Sequence, residues 1–203
     1  MLRYYLRYGP TPLPEDGSLP ELTWAGAAHV RKAILVGTPN AGSAKAMVQL
    51  VEGLNLNPFF PNYRPAVLGT MPAIYQLLPR VRHAAIVDAQ TREPIDVFDV
   101  AVWQRYEWGL ASPRADRVLR WLLPDVADEA RRRAIALEHL RKCLARAEQL
   151  HRAIDTPARV PEGTELSIFV GDAMPTIAVL GVEADGRLRT LEKQPGDGTV
   201  LRS

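Results

Sequence analysis

Cysteine is nearly absent from this chain of 203 residues, in which Cys143 stands alone. A single cysteine excludes an internal disulfide and a zinc site built from cysteines. No apolar run approaches the roughly 18 residues that a membrane span requires, so no transmembrane segment is predicted. The first residues also lack the apolar core of a signal peptide. A formal net charge of +2 implies no strong attraction to nucleic acid or to an anionic membrane, and no nucleic acid partner is predicted.

Metal-ligand patterns are missing as well. His139 and His151 stand too far apart to supply two ligands from one helical turn, and neither a metal nor a cofactor is predicted. What remains is the composition of an ordinary globular protein, 47% hydrophobic and 24% charged, with enough residues for one sizeable core. The 17 prolines predict many turns.

The segment 33–43 is a short apolar run followed by a glycine-marked turn. Its first four residues are apolar without alternation, which predicts a strand covered on both faces. Gly37, Pro39 and Gly42 then end the strand in a tight loop. Apolar residues at three- and four-residue steps predict a helix over about 43–54.

Periodicity elsewhere predicts a chain of mixed helices and strands. The clearest pattern is a long helix over about 125–154, and a shorter helix is expected at 2–8. A strand is predicted over 165–171. An Asp-Gly turn at 185–186, between two strand-forming runs, predicts a hairpin.

Five segments resemble the lecithin:cholesterol acyltransferase and lipase branch of the α/β-hydrolase superfamily. GTPNAGS at 37–43, after its apolar run, resembles a strand end that opens into the lid. GDGTV at 196–200 resembles the loop that carries the acid of a catalytic triad. The other segments are RYYLRYG at 3–9, MPAIYQLLPR at 71–80 and WQRYEWG at 103–109. The resemblance implies an α/β fold, a partial α/β-hydrolase sheet with a mainly helical lid insertion. Its parts would be a partial core over 1–40, a lid over 41–155, and late core strands with a hairpin and acid loop over 156–203.

By this resemblance Asp197 is the acid of a Ser-His-Asp triad, with Asp172 as the second candidate. The acid would orient a histidine, which takes the proton from the serine as that serine attacks an ester carbonyl. We therefore expect Val36 and Asp197 at the same rim of one shared sheet. The printed sequence has no G-x-S-x-G serine turn and no histidine after Asp197. The resemblance thus implies that the natural chain extends upstream of Met1, and that this piece alone is inactive.

Aromatic, methionine and leucine side chains are dense in the lid-like region. They form either the core of a small helical subdomain or an apolar wall for a lipid or ester substrate. For the tryptophans, packing is the default interpretation because their side chains bury large surfaces. The substrate-binding candidates are Phe59, Phe60, Tyr63, Met71, Tyr75, Leu78, Trp103 and Trp108.

Two other functions stay open. A non-catalytic lipid- or partner-binding domain would keep the lid without the serine. Nucleotide binding is the other, because Gly37 to Gly42 has the glycine spacing of a phosphate-binding loop. However, Ser43-Ala44 stand where Lys and Ser/Thr are required, and Pro39 removes one donor. A shift in melting temperature with Mg-ATP would identify it. If this chain is a hydrolase fragment, residues 33–36 lack the neighbouring strand that carries the serine, and this unpaired edge would promote self-association.

Overall fold

The computed structural model describes residues 1–56, 59 and 62–202. Its helices are α1 (Leu2–Tyr8), α2 (Ala44–Glu52), α3 (Pro65–Leu68), α4 (Pro72–Tyr75), α5 (Val100–Arg105), α6 (Asp116–Leu122) and α7 (Glu129–Asp155). Its strands are β1 (Lys32–Val36), β2 (Ile86–Asp88), β3 (Glu165–Phe169), β4 (Met174–Val182) and β5 (Leu188–Gly196). Short 3₁₀ turns lie at 27–29, 81–83, 109–111 and 113–115. None of the helices described here combines the length and the apolarity needed to cross a membrane.

The strands form two separate small sheets. β1 and β3 pair in parallel, with Val36 opposite Phe169. In the other sheet β4 is central, parallel to β2 and antiparallel to β5. The chain is therefore a mixed α/β structure, as predicted, although its strands are divided between a two-stranded and a three-stranded sheet. The long helix and the hairpin are confirmed as α7 and as β4–β5.

The β1–β3 sheet is covered on one face only. Ala33 and Leu35 are buried, and Ala33 packs against Leu6 of α1. On the opposite face, Ile34 is 53% exposed and Val36 is 71% exposed. The prediction that both faces are covered is therefore wrong within the part of the chain that is described. An apolar run indicates a strand, but it does not show whether a second layer is present to cover it.

One apolar core joins the helical region to the hairpin. Trp103 is fully buried, and its Nε1 donates a hydrogen bond to the Val97 carbonyl at 2.8 Å. Its ring meets the ring of Trp108 edge to face, with the centroids 5.8 Å apart. Leu180 and Val182 of β4 belong to the same core. The three-stranded sheet is therefore anchored among the helices of residues 44–155.

His151 is a buried histidine held in its neutral form. It lies on α7, 6% exposed, and its ring is nearly perpendicular to that of Phe98, with the centroids 5.4 Å apart. Because the Gln76 carbonyl can only accept, the contact at 2.9 Å places the proton on Nε2. Nδ1 is buried without a partner among the described residues. Burial, and to a smaller extent the charge of Arg80, lower the pKa of His151 from 6.5 to about 4.

Acidification is expected to destabilise the fold through His151. Because its pKa is lower in the folded state, His151 favours folding above pH 6.5, and this contribution is lost as the pH falls from 6.5 toward 4. The loss amounts to as much as about 3 kcal/mol of unfolding free energy. His151→Gln can still donate to the Gln76 carbonyl but does not titrate. It should therefore reduce the pH dependence of the unfolding free energy between pH 6.5 and 4, as measured by urea denaturation. The exposed His29→Gln serves as the control, and equal flattening by both variants would contradict the assignment.

Candidate functional site

The acid loop, residues 196–200, holds the carboxylate of Asp197 by one oxygen. Oδ1 accepts the N–H groups of Thr199 at 2.8 Å and Val200 at 2.7 Å. These bonds, the one from Val200 first, lower the pKa of Asp197, and the charge of Lys45 adds to the effect. No donor in the described part of the chain is bonded to Oδ2. Asp197 is therefore an exposed, ionised carboxylate of fixed orientation with one oxygen left to accept a hydrogen bond.

Asp197 lies where β1 and β3 end. Because these strands are parallel, their carboxyl ends meet at one edge of the sheet. A Cβ placed on Gly37, directly after β1, would lie 3.3 Å from Asp197 Oδ2. One placed on Gly171, just after β3, would lie 3.0 Å from Asp197 Cβ. The carboxyl edge of an α/β sheet is where ligands commonly bind. The end of β1 and Asp197 are close, as expected, but Asp197 follows β5 of the three-stranded sheet, so the expectation that the two lie on one shared sheet is wrong among the described residues.

Thr176 and two glycines support the acid loop from behind. The N–H of Gly198 donates to Thr176 Oγ1 at 2.8 Å, and Thr176 is 2% exposed. Gly198 has a φ of 89°, a left-handed conformation that favours glycine, and a side chain on Gly196 would collide with Thr176. Sequence reasoning identified the glycines but missed Thr176, because no motif marks a hydroxyl 22 residues away.

Ser43 connects the acid loop to the loop after β1. Its Oγ donates to the Thr199 carbonyl at 2.5 Å and accepts the Lys45 N–H at 3.2 Å. The second bond makes Ser43 the N-cap of α2. The GTPNAGS and GDGTV segments are thus in direct contact, and one buried hydroxyl both starts a helix and steadies the loop of Asp197.

Ser43→Ala is expected to lower the free energy of unfolding by about 1–2 kcal/mol, because it removes a helix cap and a buried link to Thr199. Urea denaturation measures the loss. Ser112→Ala is the matched control, since Ser112 Oγ caps a 3₁₀ turn through Arg114 N at 3.3 Å. Equal losses of unfolding free energy from the two substitutions would mean that the hydrogen bond from Ser43 to Thr199 does not contribute to stability.

Asp172, the second candidate acid, is held differently. Its Oδ2 accepts Arg202 Nη1 at 3.2 Å, and the two side chains are 57% and 61% exposed. Exposed ion pairs of this kind are weak and fix orientation poorly. No backbone amide in the described residues is bonded to the Asp172 carboxylate. The geometry therefore favours Asp197 over Asp172 as an orienting acid.

The predicted substrate-binding residues of the middle region divide by exposure. Tyr75, Leu78 and Trp103 are fully buried, and Trp108 is 3% exposed. All four belong to the core that joins the helices to the hairpin. The indole N–H of Trp108 also donates a hydrogen bond to the Gly186 carbonyl at 2.7 Å. These contacts favour the packing interpretation for this group.

The other predicted substrate contacts lie nearer the surface. Phe59 is 95% exposed and Met71 is 42% exposed. Tyr63 is half-buried against the main core, and its backbone pairs with Leu54. Phe60 lies outside the described residues. Phe59 and Met71 are therefore the members of the predicted set with substantial surface to offer an apolar ligand.

A cavity of about 200 Å³ lies against the two loops. Its walls include Ser43, Thr199, Val200 and His83. This volume is below the roughly 300–1,000 Å³ of typical small-molecule sites. The cavity by itself therefore does not accommodate a long acyl chain.

In the loop from Gly37 to Gly42, two backbone amides donate hydrogen bonds to carbonyls of the same loop. The N–H of Asn40 donates to the Thr38 carbonyl at 2.7 Å, and that of Gly42 donates to the Pro39 carbonyl at 3.0 Å. Amides used in this way do not point at a phosphate, so the nucleotide alternative gains no support here. Over residues 1–56, 59 and 62–202, no group of three or more His, Cys, Asp or Glu side chains could hold a metal ion.

Comparison of the chain with protein-family models, with curated proteins and with solved structures finds no match. The resemblance to α/β hydrolases therefore rests on the sequence segments named above. Any function has to be argued from the chemistry of the acid loop and from its position on the sheet.

Proposed function

We propose that this chain supplies the acid-bearing part of a serine hydrolase or acyltransferase that acts on lipid or other carboxylic esters. The observation that carries the proposal is the carboxylate of Asp197, held at Oδ1 by two amides while Oδ2 is left at the sheet rim. Oδ2 would accept the N–H of a catalytic histidine and fix its tautomer. The lowered pKa of Asp197 keeps the carboxylate charged, so it would stabilise the imidazolium that forms.

The histidine would take the proton from a serine hydroxyl as its oxygen attacks the ester carbonyl. The tetrahedral intermediate collapses with departure of the alcohol, to which the histidine returns the proton. An acyl-serine remains. Water or a second alcohol then releases the acyl group by the reverse sequence of proton transfers. Because the sequence has no G-x-S-x-G turn and no histidine after Asp197, the proposal assigns the serine and the histidine to polypeptide outside these 203 residues.

The open sheet supports this proposal. Arg31 O and Gly37 N bond to β3, so the backbone groups of Ile34 and Val36 point to the other edge of β1. Parallel sheets are rarely left uncovered, and open edges promote pairing. A further strand that carries the serine would satisfy this edge and bring the nucleophile toward Asp197.

The proposal is tested by the coding sequence on both sides of this chain and by the protein it encodes. We expect an in-frame G-x-S-x-G before residue 1, a histidine after residue 203, and labelling of that serine by a fluorophosphonate probe. The 203-residue chain alone should turn over no p-nitrophenyl ester. In-frame stops without these residues would refute catalysis and leave the non-catalytic binding domain.

A further inference from the structure

The outer face of α6 presents an indole beside arginines. Trp121 is 77% exposed, whereas Val118 and Leu119 of the same helix are buried. Arg117 stands one helical turn before Trp121 and therefore shares its face. Leu122, the last residue of α6, is 36% exposed. A large apolar side chain thus projects into solvent from a helix whose other face packs against the core.

Three arginines line a surface depression of about 340 Å³ that includes residues of α6: Arg114, Arg117 and Arg120. Asp116 and Glu129 also border it. Both Asp116 oxygens are occupied, one by Arg120 at 2.7 Å and the other by the buried Arg132 at 2.8 Å. Within the described residues, Arg114 and Arg117 form no ion pair. Three positive and two negative side chains therefore border the depression, which leaves it a formal charge of +1.

The turn after α6 is rigidly held. Arg132 is 4% exposed, and its Nη1 donates to the carbonyls of Val126 at 2.8 Å and Ala127 at 2.7 Å. The Asp128 carboxylate caps α7 by accepting the N–H groups of Ala130 and Arg131. The turn that follows the exposed indole is thus preorganised, so little backbone entropy would be lost there on binding.

We propose that this surface, Arg114, Arg117, Arg120, Trp121 and Leu122, docks on an anionic phospholipid membrane. Tryptophan suits the boundary between headgroups and acyl chains because its ring is apolar and its N–H is polar. Guanidinium groups bind phosphate through paired hydrogen bonds. The depression would take the lipid phosphate while Trp121 and Leu122 enter the interface. This inference needs neither the triad nor an ester substrate.

The test is flotation of the 203-residue chain with vesicles of phosphatidylcholine alone or mixed with phosphatidylserine. We expect binding to the mixed vesicles, loss of binding in high salt, and quenching of tryptophan emission by brominated lipid. Trp121→Ala should abolish the quenching. Arg117→Glu should weaken binding at least about fivefold, since each arginine near an anionic surface contributes about that factor.

Arg159→Glu makes the same change in net charge at an exposed position elsewhere and should leave binding unchanged. Equal weakening by Arg117→Glu and Arg159→Glu would overturn the proposal. So would loss of binding with Val36→Ser but not with Trp121→Ala, which would assign binding to the open sheet face. Retention by a single-stranded oligonucleotide but not by vesicles, competition by inorganic phosphate alone, or no vesicle binding at all would also overturn it.

Discussion

Asp197→Asn is expected to lower kcat about 10⁴-fold in the protein that carries the proposed serine and histidine, with little change in KM. This is the size of loss that follows when the acid of a serine-protease triad becomes an amide. The amide can still accept the N–H groups of Thr199 and Val200, so the loop is retained. It cannot stabilise an imidazolium, and it can hold the histidine in the wrong tautomer. Steady-state hydrolysis of a p-nitrophenyl ester measures the effect.

Asp172→Asn is the matched control for this experiment. It removes one exposed ion pair with Arg202 and should change kcat less than about twofold. A large loss with Asp172→Asn and none with Asp197→Asn would transfer the acid role to Asp172. Unchanged activity in both variants would reject a triad built on this chain.

Trp103→Ala is expected to destabilise the protein by about 3–5 kcal/mol, since it deletes a fully buried ring. It also leaves the Val97 carbonyl, which accepts the indole N–H at 2.8 Å, without this hydrogen bond. The ring contacts with Tyr75 and Trp108, at centroid distances of 5.9 and 5.8 Å, are lost as well. Urea denaturation followed by circular dichroism measures the change in unfolding free energy.

Trp121→Ala provides the same substitution at an exposed site, where the expected change is within about 0.5 kcal/mol. The comparison separates packing from substrate binding. If Trp103 formed a substrate wall instead of core, its loss would raise KM and leave stability nearly intact. That outcome would revive the alternative interpretation of the middle region.

Local features of this fold were predictable from local patterns. The repeat of apolar residues along α7 and the Asp-Gly turn between β4 and β5 each act over a few residues, so the sequence records them directly. The glycines around Asp197 were identified for the same reason. Such features depend on neighbours in the chain and need no knowledge of the distant fold.

Long-range features were not predictable in this way. Ser43 and Thr199 are 156 residues apart, and nothing in either segment specifies the hydrogen bond between them. The four apolar residues from Ala33 suggested a strand with two covered faces, yet Val36 is 71% exposed. Coverage depends on which layers pack nearby, and apolar character alone does not encode that. Nor did the sequence show that β2, β4 and β5 would form a sheet of their own.

The separation of the two sheets affects how the triad acid would be positioned. Asp197 follows β5, whose sheet is anchored among the helices through Leu180 and Val182, whereas Gly37 and Gly171 follow the strands of the other sheet. The carboxylate therefore belongs to the sheet of the helical region and faces the end of the other sheet. If the proposed triad forms there, its acid and a serine on a strand beside β1 would come from different sheets, so the distance between them would depend on how firmly loop contacts such as that of Ser43 with Thr199 hold the two sheets together.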